Sequence, residues 1–221
     1  MFGVGLWRLS DTGVQRWSKE DGTLPTNELY DIATTRLHGA SSADSNHEIW
    51  VSSRSGLLRV HDNHVQAFDR RHGLPSDVVR ATYAWRSPSG DDVVWLATEA
   101  GVSHMVIGAN PWVTASLMGS RSIGVFGVLV EPDGRGGERP WVGASEDGIA
   151  IYEQGQWQHY NAANGALPTS SVSMLVATDA RDGSRTHWVG LRGGGLLRAR
   201  EKAGSGFIFE AQDTPWLASS G

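Results

Sequence analysis

The sequence predicts an all-β fold, a β-propeller of about four and a half four-stranded blades in an open or partial ring, and three observations predict it. A tryptophan-to-glycine unit recurs with a period of about 46 residues. A Leu-Pro marker recurs in phase with it. The segments between are short, rich in valine and aromatics, and bounded by Gly, Asp, Asn or Ser, as strands are.

The first unit starts at Trp50, Trp95, Trp141 and Trp188 and ends at Gly56, Gly101, Gly148 and Gly195. The tryptophans lie 45, 46 and 47 residues apart and the glycines 45, 47 and 47. A fifth glycine hairpin, Gly5-Leu6-Trp7-Arg8, lies 51 residues before Gly56 and has no tryptophan strand ahead of it. Leu24-Pro25-Thr26-Asn27, Leu74-Pro75-Ser76-Asp77 and Leu167-Pro168-Thr169-Ser170 supply the second marker, with Gly119-Ser120-Arg121-Ser122 in its place in the remaining copy.

A period of this length suits a four-stranded blade or a helical solenoid. No segment carries apolar residues at i, i+3, i+4 and i+7 over ten or more positions, so strands win. One blade then reads as an inner strand after the Leu-Pro marker (residues 77–84), a loop (86–92), the tryptophan strand, a tight turn ending in glycine, and an outer hairpin. That hairpin turns at Asp11-Thr12-Gly13, Asp62-Asn63 and Gln154-Gly155, residue types that tolerate turn conformations. The apolar runs 123–130 and 172–176 predict inner strands buried on both faces. Four inner strands, four tryptophan strands and five outer hairpins make residues 1–221 a single repeat array. Because a propeller protects its edges by closing, the array is expected to be part of a larger propeller, completed by further blades or by a second chain.

The run Trp-Val-Gly-x-x-x-x-Gly-Leu-Leu-Arg, an aromatic strand, and Gly-Leu-Pro-Ser-Asp-x-Val resembles the two-component-regulator propeller repeats. Residues 50–60 with Phe68 and 73–79, and residues 188–198, carry the resemblance. Looser copies are 141–152 with Tyr160 and 165–172, and 5–9 with Trp17 and 24–27. The resemblance implies a periplasmic sensor region of a bacterial hybrid histidine kinase or diguanylate cyclase receptor, binding a carbohydrate or other small signal molecule. A membrane span and an output domain accompany such regions.

Composition narrows the chemistry. With 24 acidic against 19 basic residues and a formal net charge of −5, the chain lacks the positive surface that nucleic acid requires. The absence of cysteine removes disulfides, thiolate metal sites and cysteine nucleophiles. No apolar run reaches the roughly 18 residues of a membrane span, so direct membrane insertion is not expected. Residues 1–7 do not read as a signal peptide.

Gly190-Leu191-Arg192-Gly193-Gly194-Gly195 sits in the strand–turn–strand slot of the repeat rather than ahead of a helix, so it is not read as a dinucleotide site. His61-Asp62-Asn63-His64 falls on a hairpin turn, and Asp179–Gly183 lacks calcium-loop spacing. No catalytic residue, metal or cofactor is predicted. The phased tryptophans read as core, whereas Trp85, Trp112 and Trp216 fall out of phase and read as possible surface platforms.

Strands alternate direction, so the loop before each inner strand and the turn after each tryptophan strand share one face. The candidate ligand-binding residues there are Arg54, Asp77, Glu99, Glu146, Asp147 and Arg192, with Asn27 and Ser171 beside them. Their charge varies on a constant frame, the usual division between recognition loops and scaffold. The reading is a ligand-sensing module without catalysis. Its alternatives are a propeller-scaffold lyase or glycosidase, and an interaction scaffold, whose phased Gly-His and Trp-Asp pairs are missing.

Overall fold

The computed structural model describes residues 4–11, 13–36, 47–61, 63–109, 112–115, 124–202 and 206–213. The chain divides into two compact units, Met1–Ser116 and Leu117–Gly221. In the first unit β1 (Leu6–Ser10) and β2 (Gly13–Trp17) form a two-stranded sheet. A four-stranded sheet follows, β3 (Leu29–Arg36), β4 (His47–Ser53), β5 (Gly56–His61) and β6 (His64–Phe68). The next comprises β7 (Val79–Arg86), β8 (Asp92–Thr98), β9 (Gly101–Val106) and β10 (Val113–Ala115). The second unit holds β11 (Val125–Pro132), β12 (Glu138–Ala144), β13 (Gly148–Glu153) and β14 (Gln156–Tyr160), then β15 (Val172–Asp179), β16 (Arg185–Leu191), β17 (Gly195–Glu201) and β18 (Phe207–Ala211). Each sheet is an antiparallel meander in chain order, so the all-β expectation holds.

Local chemistry explains why the two markers repeat. Gly5, Gly56 and Gly148 have positive φ, and a Cβ at each would run into the carbonyl oxygen of Trp17, Phe68 or Tyr160 on the outer strand. Only glycine fits there. In the Leu-Pro marker the leucine is buried (Leu24, Leu74, Leu167), and the hydroxyl two residues on accepts a backbone N–H. Thr26 accepts from Glu28 at 3.0 Å, Ser76 from Val78 at 3.1 Å and Thr169 from Ser171 at 3.4 Å. The marker is thus an apolar anchor followed by a side-chain-closed turn into the inner strand.

The phased tryptophans occupy one position, opposite Ala33, Tyr83, Leu129 and Val176 of the inner strands. Trp50, Trp95 and Trp141 are buried, whereas Trp188 is only partly so. Three indole N–H groups donate to the inner-strand residue two positions beyond that partner: Trp50 to Thr35 (3.1 Å), Trp141 to Glu131 (2.9 Å) and Trp188 to Thr178 (3.0 Å). At the corresponding position facing Trp95 stands Trp85, which has no acceptor oxygen, and the Trp95 Nε1 makes no hydrogen bond with any described residue.

Two expectations need correction. Trp112 is no surface platform: it is buried with Trp50, Leu57, Leu74 and Val94, its ring edge-on to Phe68 at 5.9 Å. Trp85 is half-buried, and Trp216 lies outside the described residues. Inner strand β15 is not buried on both faces, because Ser173, Met174 and Val176 are exposed while Val172 and Leu175 are buried. An apolar run fixes which strand it is, but a neighbouring sheet must be present to bury the second face.

The seams between successive sheets differ in chemistry. In the first unit Trp50 and Leu57 pack on Leu74, Val79, Val94 and Leu96. Glu48, two residues before Trp50 and fully buried, pairs within its own sheet with Arg59. In the second unit Glu131 of β11 is buried and takes donations from Arg139 Nε (2.8 Å) and Trp141 Nε1 (2.9 Å) of its own sheet. Across the seam it meets His187 Nε2 of β16 at 2.7 Å. His187 stacks on Trp141 with ring centroids 4.4 Å apart, and Arg139 also pairs with Glu153 and Glu201, each at 3.0 Å. Burial pushes the Glu131 carboxyl up, but His187, Arg139 and Trp141 together outweigh it and hold the group below its ordinary value.

Candidate functional site

Backbone hydrogen bonds bring the two predicted loop sets side by side in every four-stranded sheet. Arg54 N–H donates to the Glu28 carbonyl (3.0 Å), Glu99 to Val78 (3.2 Å), Ser145 to Gly124 (3.0 Å) and Arg192 to Ser171 (2.8 Å). Each turn after a tryptophan strand is therefore tied to the start of its own inner strand.

Within that frame Asp77 serves the loop. Its Oδ1 accepts the Arg70 backbone N–H at 2.8 Å. At the two neighbouring Leu-Pro markers Asn27 Oδ1 accepts from Lys19 (2.9 Å) and Ser170 Oγ from Ala162 (3.0 Å). The same clasp is made by three residue types, so its carboxylate is explained by loop closure.

The more informative position lies just beyond. Each inner strand carries a register shift after its first residue, leaving Tyr30, Arg80, Phe126 and Ser173 outside the ladder. Such bulges re-aim a side chain and cluster near functional sites. The sequence reading missed all four, although a signal was present: Tyr30, Arg80 and Ser173 each stand five residues after the marker proline. Period-2 reasoning assigns every strand residue a ladder partner, which hid them.

In the first unit the bulges join Arg54 and Glu99 into one network. The Arg80 guanidinium lies over the Tyr30 ring, 4.8 Å from its centroid, and pairs with Glu99. Arg54 pairs with Glu28 at 3.3 Å; that hydrogen bond first, then the Glu28 charge and Tyr30, raises the Arg54 pKa. The Asp31 carboxylate accepts the Thr82 backbone N–H at 3.0 Å, stitching β3 to β7. An aromatic ring beside alternating carboxylates and guanidiniums offers a stacking surface together with donors and acceptors, the pattern that fits a polar, hydroxylated molecule. In the second unit Glu146 and Arg192 are exposed and Asp147 is half-buried, on the turns tied to the strands bearing Phe126 and Ser173.

Elsewhere the chemistry is structural. His61 and His64 oppose each other across the β5–β6 hairpin, and Asp179 pairs with Arg185 at 2.7 Å. Among the described residues no group of three or more His, Asp or Glu side chains is placed to hold a metal ion. None of their helices is long and apolar enough to cross a membrane.

No family model matches the sequence, and no curated protein matches it. Solved structures do. The extracellular domain of a hybrid two-component system from B. thetaiotaomicron matches with a TM-score of 0.64 and 16% identity, over 91% of this chain and 25% of that one. A second such extracellular domain from the same organism gives 0.58 and 16%, over 88% and 24%. Virginiamycin B lyase from Staphylococcus aureus gives 0.51 and 13%, over 83% and 60%. The chain thus spans about a quarter of the length of the extracellular domains it matches. In fold it is like the extracellular domains of two-component systems, as the repeat motifs led one to expect.

Proposed function

We propose that this chain is the ligand-sensing part of a bacterial signal-transduction receptor, periplasmic and without catalysis of its own. Its four four-stranded sheets and one hairpin act as about four and a half blades of an open propeller. A small polar molecule, a carbohydrate foremost, binds in the first unit, where Tyr30, Arg80 and the turns bearing Arg54 and Glu99 meet. One observation carries this reading: the phased bulge holds Tyr30, Arg80, Phe126 and Ser173, four different chemistries on one constant frame. Varied side-chain chemistry on a constant frame is the usual mark of recognition loops. The likeness in fold to extracellular domains of two-component systems supports the signalling role.

The test is calorimetric titration of the intact chain with a panel of neutral and uronic-acid-containing oligosaccharides. Tyr30→Ala and Arg80→Ala should each weaken binding at least about tenfold with unchanged melting, while Asp182→Asn, on the β15–β16 turn of the second unit, should leave it intact. If no member of the panel binds, the reading fails. If a bound sugar is cleaved or eliminated during incubation, the lyase-like alternative replaces it.

A further inference from the structure

Because the sheets repeat, the same position can be followed along the chain, and it is covered or bare according to whether a neighbour is packed on it. On the third strand of the β3–β6 sheet, Leu58 and Val60 are 0% and 3% exposed, sealed by Leu6, Trp17 and Leu24 of the preceding hairpin region. The equivalent residues of β1, counted from the phased glycines Gly5 and Gly56, are Trp7 and Leu9, at 48% and 76%. Val14, opposite Leu9, is 63% exposed. Hairpin β1–β2 thus buries one side in its own unit and presents an apolar side to solvent.

The β15–β18 sheet has the converse surface. Val176, opposite Trp188, is 39% exposed, whereas Leu129, opposite Trp141 in the preceding sheet, is 1% exposed beneath β15. Met174 and Ile208 are exposed on the same sheet, and Trp188 is half-buried where Trp50 and Trp141 are fully covered. Two polar groups on this surface are already served, Trp188 Nε1 by Thr178 and Arg200 by Glu210. It can be covered without stranding them.

Each surface is half of a seam that this chain builds internally, and the halves are opposite in kind. We propose that a second copy of this chain docks head to tail, its β1–β2 hairpin (Trp7, Leu9, Val14) seated on the Trp188 side of the β15–β18 sheet. The packing continues the established one, in which hairpin β1–β2 and sheet β3–β6 meet through the equivalent positions. The interface is heterologous, with different patches on the two partners. This rests on the repeat-array reading above but not on any ligand.

Sedimentation velocity over a concentration series tests it, with circular dichroism to confirm folding. The wild-type chain should self-associate. Leu9→Asp and, separately, Ile208→Lys should each raise the dissociation constant at least about tenfold. Mixing the two variants is the sharper readout: each retains the half the other lacks, so the mixture should form a one-to-one complex that neither forms alone. A wild-type chain that stays monomeric overturns the proposal, as does association that survives either substitution. Variants that fold and do not rescue each other on mixing overturn it too. Ligand binding that persists in monomeric variants leaves the sensing face standing, so the two readings fail separately.

Discussion

The seam in the first unit and the seam in the second are built on the same frame and filled differently. Trp50 and Trp141 stand at the same register, yet Thr35 occupies the place of Glu131, Val94 that of His187, and Glu48 that of Arg139. In the first unit the seam is closed by leucine, valine and indole. In the second a buried carboxylate gathers an indole, a guanidinium and an imidazole. Tryptophan and glycine spacing therefore sets where sheets meet, and leaves open whether oil or charge fills the gap. The two fillings fail differently: apolar contacts shrink gradually, whereas a buried ion deprived of its partner is penalised heavily.

The widest gap is expected at those matched positions. Glu131→Ala should destabilise the chain by about 4 kcal/mol, since Arg139 and His187 lose a buried partner. Thr35→Ala should cost only about 1 kcal/mol. Urea denaturation measures both, and equal costs would erase the contrast. A smaller, pH-dependent difference follows. Because the folded Glu131 carboxyl is held below its ordinary value of 4.5, its contribution is complete above that pH and is lost as pH falls through the folded value. Wild type should thus lose stability in acid more steeply than Glu131→Gln, whose curve should be flatter below about pH 4.5.

Smaller again is the tryptophan comparison. Trp50→Phe strands the buried Thr35 hydroxyl, whereas Trp95→Phe removes an N–H that already lacks a described partner. The first should cost about 1 kcal/mol more than the second. Smallest is Arg80→Ala, whose partly exposed pair with Glu99 should contribute less than about 1 kcal/mol to stability. A melting temperature that drops sharply would make Arg80 a structural residue rather than a recognition one.

What the sequence made legible was whatever local geometry dictates. Gly56 and Gly148 must be glycine because a carbonyl crowds them, and Leu74-Pro75-Ser76 must recur because it closes a turn, so both leave a periodic trace. Trp112 left none: it is buried by a neighbouring sheet's Phe68 and Trp50, a matter of tertiary packing that spacing does not encode. Met174 and Val176 were misjudged for the related reason that burial belongs to the neighbour, not to the strand. Of the candidate site, Arg54 and Glu99 entered one network, while Asp77 turned out to be a clasp. That distinction depends on which backbone N–H reaches the carboxylate, and no residue type announces it.

The bulge has a consequence for how such a chain can change over generations. A residue held outside the ladder has no register to keep. Exchanging tyrosine for arginine, phenylalanine or serine there leaves the rest of the strand undisturbed, so new specificities can be tried without first being made foldable.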